Sequence, residues 1–127
     1  MTARDPALVA GVELFNRARF LAAHEAFEEP WEANESGDAD FFKGLIQATI
    51  ALHKLAGGHV DGALQLYRGH RRFLGAYLPV HRGLDVAAFL DDMQTFFRPL
   101  LVDPETPPAD EWPRLAWASG SPLDLEA

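Results

Sequence analysis

Cysteine is absent from the 127-residue chain, which excludes disulfides, thiolate metal ligands and cysteine nucleophiles together. Long apolar runs are missing too. No stretch approaches the roughly 20 residues of a membrane-spanning helix, so no membrane partner is expected. The opening residues, Met1-Thr2-Ala3-Arg4-Asp5-Pro6, show no apolar run behind a basic start. No signal peptide is expected, and a cytoplasmic location is the default. Glycine-rich phosphate loops, the G-x-S-x-G elbow and the dinucleotide fingerprint do not occur. Positive charge is scarce: 11 Lys and Arg stand against 19 Asp and Glu, for a net charge of −8. Such a chain lacks the positive field that attracts nucleic acid or anionic membrane, so a nucleic-acid partner is not expected. The one basic cluster, Arg68, His70, Arg71 and Arg72, reads as a solvated helix face rather than a phosphate site.

What remains is ordinary globular composition, 48% apolar and 24% charged, at a length that suits one domain. Helical periodicity dominates residues 5–98, and no strand-like alternation of useful length appears. Asp5-Pro6 is an N-cap followed by proline at the first helical position, predicting a helix to about Asn16. A second helix is expected from Phe20 until Asn34-Glu35-Ser36-Gly37, and a third from Asp38 to Ala56, stopped by Gly57-Gly58. A fourth covers Val60 to Tyr77. A fifth starts at the N-cap Asp85 and presents Val86, Phe89, Leu90, Met93, Phe96 and Phe97 on one face until Pro99. Short connections make consecutive helices antiparallel neighbours, so the fold class is all-α, a compact bundle of about five helices. The expected core includes Phe20, Phe27, Trp31, Phe42, Ile46, Ile50, Leu64, Tyr67, Leu74, Phe89 and Met93. Gly44, Ala48, Ala51 and Leu55 form a small-residue seam for close packing on the third helix.

Six of the nine prolines lie in residues 99–127, which excludes long helices there. That division, a helical domain over 1–98 and an irregular proline-rich acidic tail over 99–127, is the expected organisation. Trp112, Leu115 and Trp117 are the late apolar groups able to dock the tail on the body or on a neighbouring subunit.

The chemistry-bearing residues sit on apolar faces. Successive residues turn a helix by about 100°, which centres His24 among Phe20, Leu21, Phe27 and Trp31, with Glu28 beside it. On the third helix His53 lies close to Ile46 on the apolar face. An antiparallel hairpin about residue 37 brings His24 level with residue 50, one turn from His53, and Glu28 level with Ile46 and its neighbour Gln47. His24, Glu28 and His53 therefore converge, with Gln47 and Trp31 completing a candidate ligand pocket. Imidazole and carboxylate at i and i+4 share a helical face and suit zinc or manganese. The competing reading is a satisfied buried polar pair that fixes helix register. His59, His70 and His81 are expected to be solvated, and Lys43, Gln47 and Lys54 to form a stripe paired with acids on the second helix.

Phe15-Asn16, the His24-x-x-x-Glu28-x-x-Trp31 motif, Gly44-Leu45-Ile46-Gln47 and Gly62-Ala63 together resemble a bacterial and archaeal family, domain-of-unknown-function family 309. The resemblance covers about residues 11–98. It implies a small all-helical fold and points to His24, Glu28 and Trp31 as functional residues, with a suggested metal and no reaction. Pro30, between Glu28 and Trp31, departs from a plain helix-former and is expected to kink the helix there.

Two functions follow. One is a metal- or ligand-binding protein built on His24, Glu28 and His53, with a small-molecule ligand unspecified; an open coordination position would activate water. The other is a non-enzymatic helical interaction module in which His24 and Glu28 are structural. Glu28 stands where the H-E-x-x-H proteases carry their second histidine, which argues against protease activity. Self-association into a homo-oligomer stays open.

Overall fold

The structure, a computed structural model, describes residues 5–33 and 38–118. Five helices carry it: α1 (Pro6–Asn16), α2 (Phe20–Ala33), α3 (Ala39–Ala56), α4 (Val60–Leu74) and α5 (Val86–Val102). They pack consecutively, α1 on α2, α2 on α3 and α3 on α4, as short connections require. Asp5 caps α1 as expected, its carboxylate accepting the Ala7 amide at 2.8 Å. The turn into α2 passes through Ala18 at φ 59°, a left-handed conformation that ends the helix at some cost for a residue with a Cβ.

Two boundaries differ from the sequence reading. Helix α4 stops at Leu74 and tightens into a 3-10 turn over Gly75–Tyr77. Helix α5 does not stop at Pro99 but runs through it to Val102. A proline near a helix end loses one hydrogen bond that the packing of Leu100, which is buried, offsets. Helix α2 runs through Pro30 to Ala33, as the sequence leads one to expect. Expectations for residues 34–37 and 119–127 lie outside the described residues.

Strand structure among the described residues is limited to a hairpin, β1 (Val80–His81) and β2 (Leu84–Asp85). Its two-residue turn, Arg82-Gly83, has φ 50° and 82°, the left-handed pair that a tight hairpin demands. The hairpin is fastened to α3. Asp38 makes no cap bond to α3, because its carboxylate accepts from His81 Nε2 at 2.9 Å and Arg82 Nε at 2.5 Å. The His81 ring also lies, tilted, between those of Phe41 and Tyr77, with centroids at 4.7 and 4.6 Å.

The core holds Leu8, Phe15, Phe27, Phe41, Phe42, Leu52, Leu74, Phe89, Met93 and Phe97, all fully buried. Nine of the expected core residues are buried; Ile50 is only partly so and packs against the core, and Trp31 is not core. Close packing of α3 on α4 uses glycine: a Cβ on Gly44 would lie 2.6 Å from Leu74 Cγ, and Gly69 receives the Gln47 side chain.

Residues 112–118 lie on the helical body. The Trp112 ring meets Phe20 at 5.2 Å and Phe96 at 5.5 Å. Asn16 brackets Leu115, its amide donating to the Leu115 carbonyl and its oxygen accepting the Leu115 amide, each at 2.8 Å. Farther along, Trp117 bridges Leu84 and the Ala118 amide donates to the Gly83 carbonyl at 2.8 Å.

Candidate functional site: a stripe on α2

Helix α2 buries Phe20, Ala23 and Phe27, one residue per turn, which fixes its inward face. The motif residues fall beside that face, not on it. His24 Nε2 and Glu28 Oε1 are 3.1 Å apart, and their side chains are 23% and 42% exposed. His24 is mostly buried, as expected, and Glu28 is less so; the expected partners His53 and Gln47 are corrected, because each of the two is the other's polar partner. Trp31 is 37% exposed and Leu21 54%. Leu21, His24, Glu28 and Trp31, at i, i+3, i+7 and i+10, therefore make one solvent-facing stripe. The apolar wheel misled because aromatic and aliphatic residues on α2 exceed what its two neighbouring helices cover, and the surplus faces water.

The other predicted site residues stand elsewhere. His53 is exposed and lines a shallow depression with Arg19, Leu21, Ala22 and Glu25. Ala22 and His24 lie on nearly opposite flanks of α2, since two residues turn a helix by about 200°. The depression that His53 lines includes neither His24 nor Glu28. Gln47 turns to α4, with its side-chain carbonyl against Gly69 and without a hydrogen-bond partner. Among the described residues, no group of three His, Cys, Asp or Glu side chains is arranged to hold a metal ion. The basic stripe is corrected as well: Lys43 sits over the Phe73 ring at 4.8 Å and Lys54 lies along Gly62.

Two histidines expected in solvent are engaged. His70 is fully buried, between the rings of Tyr67 and Phe89. Its Nδ1 donates to the Tyr67 carbonyl, which leaves Nε2 as a bare acceptor with no partner. Burial lowers its pKa from 6.5 to about 4, against the raising effect of that bond and helped by the charge of Arg71. The signal was present: Ala63, Tyr67, His70 and Leu74 recur at i, i+4, i+7 and i+11, so His70 belongs to the inward face of α4. His81 is the second. Burial raises the Asp38 carboxyl, but hydrogen bonds from His81 and Arg82 and their charge outweigh it and hold its pKa below the usual value. That link joins residues far apart in the chain, and nothing in local spacing announces it.

No described helix is long and apolar enough to cross a membrane. No curated protein matches the chain. Residues 8–66, which run from α1 into α4 and contain the whole His24–Glu28–Trp31 stripe, match the model of the family described as Domain of unknown function (DUF309).

Proposed function

We propose that the protein is a non-enzymatic helical interaction module whose partner docks on the α2 stripe. The observation that supports this is the exposure of Leu21 and Trp31, 54% and 37%, on the same face as the His24–Glu28 pair. A half-exposed tryptophan beside a polar pair has the make-up of an interface centre: a large apolar anchor next to groups that set orientation. The test is a photo-reactive side chain placed at Leu21 or at Trp31 in the cell, with Arg72 on the exposed face of α4 as the control. Adducts are expected at the two α2 positions and not at Arg72; their absence, or equal yield at all three, refutes the reading.

One distance favours a second reading. His24 Nε2 and Glu28 Oε1, 3.1 Å apart, are spaced to share one divalent cation such as zinc or manganese. His53 would join them only by leaving its own depression. Metal analysis of untagged protein decides it: stoichiometric metal that is lost in His24→Ala supports the site, and a metal-free protein refutes it.

A further inference from the structure

The α2 stripe is built as its own complement. About residue 26, Leu21 and Trp31 each stand five residues out, and His24 and Glu28 each stand two residues out. We infer that the partner of this face is a second copy of the chain, with the two α2 helices packed antiparallel about a two-fold axis at residue 26. This rests on the α2 stripe being the docking face.

In that register Leu21 of one copy meets the partner's Trp31, and His24 meets the partner's Glu28. Apolar groups cover apolar groups, and imidazole faces carboxylate, twice over. A two-fold interface requires such self-complementarity, and most faces lack it because like charges then oppose each other. Within each copy the His24 Nε2–H donates to Glu28 Oε1, and across the axis the same N–H can be shared with the partner's Glu28 carboxylate. Antiparallel packing also opposes the two helix dipoles favourably. Glu25 and Glu29 lie on the outer flank of α2 and Glu32 stands at the rim of the stripe beside Leu21, exposed like Leu21 itself, so their repulsion opposes association and is screened at ordinary salt. A stripe about 15 Å long is a small interface, so the dimer forms at high protein concentration rather than at nanomolar levels.

The absence of cysteine makes the register directly readable. Sedimentation equilibrium at about 0.2 mM protein in about 0.3 M NaCl is expected to give a mass approaching twice 14.0 kDa. An equimolar mixture of Leu21→Cys and Trp31→Cys chains should form a disulfide-linked dimer on mild oxidation, while either variant alone, with its thiols about 15 Å apart along the axis, should not. His24→Glu sets two acids against the partner's Glu28 and should weaken association by at least about tenfold. His24→Glu/Glu28→His restores each pairing and should restore the dimer. A monomer at all concentrations, cross-linking by the single variants rather than the mixture, or no recovery in the double variant overturns the inference. Photo-adducts at Leu21 and Trp31 of a mass other than twice the chain would overturn it while leaving the docking face standing.

Discussion

Replacing His70 by leucine should remove most of the acid sensitivity of this fold between pH 6.5 and 4. The neutral imidazole is buried between Tyr67 and Phe89, and its Nε2 has no donor to meet. In the unfolded chain it takes up a proton near pH 6.5, whereas in the folded one it does so only near 4. The folded pKa is the lower of the two, so the stability tied to the neutral form is complete above 6.5 and is lost as the pH falls toward 4. At about 1.4 kcal/mol per pH unit the whole loss is roughly 3 kcal/mol, of which about 2 is gone by pH 5. That is a large part of the roughly 5–15 kcal/mol that holds a typical domain folded. Leucine is close to histidine in size and leaves no bare acceptor, and the Tyr67 carbonyl keeps its place in the helix ladder. Near pH 7.5 His70→Leu should therefore be neutral or slightly stabilising. Urea melts of both proteins at half-unit steps from pH 4 to 8 measure the difference, in which the remaining carboxylates cancel. Parallel stability curves for the two proteins would refute the reasoning.

Further outcomes follow from packing. Gly44→Ala drives a Cβ to 2.6 Å from Leu74 Cγ and should cost about 1–3 kcal/mol. Gly62→Ala meets only the flexible Lys54 stem at 3.1 Å and should gain up to about 1 kcal/mol of helix propensity; thermal melts of both variants check the contrast. Trp112→Ala gives up ring contacts with Phe20 and Phe96 and should cost about 2–3 kcal/mol, with faster tryptic cleavage at Arg114. Because His24 and Glu28 are 23% and 42% exposed, a double-mutant cycle on the pair should return a coupling of about 0.3–0.5 kcal/mol. A coupling above about 1.5 kcal/mol would mean that the pair is buried in solution.

The helices were legible because their signals are local. Asp5-Pro6 and Asp85 are caps, Gly57-Gly58 is a stop, and the apolar stripe of α5 needs only its own spacing. What misled was the step from an apolar face to a buried one. Trp31 and His24 lie on the apolar side of the α2 wheel, yet α1 and α3 do not cover that whole side. Conversely, His70 sits among three arginines in the sequence, and its neighbours disguised a side chain whose own phase points inward. Proline was given too much force at Pro99: in the last turn of α5 the missing bond is cheap, because few amides beyond it depend on the ladder. The Asp38–His81 link and the Asn16 bracket span long stretches of chain, and no window of the sequence holds both ends.

The Asn16 bracket sets an order of events for the nascent chain. Every helix leaves the ribosome before Trp112 and Leu115 do, so α1 to α5 can assemble with the Phe20 and Phe96 rings uncovered and with Asn16 unpaired. Closure across a separation of 99 residues must wait for the segment that carries it, and long-range closure is the slow kind. During that interval the open seam between the start of α2 and α5 is an adhesive surface of the sort that chaperones hold and that aggregates recruit. A message truncated shortly before the Trp112 codon would make that state permanent: a protein with all its helices and an unsealed flank.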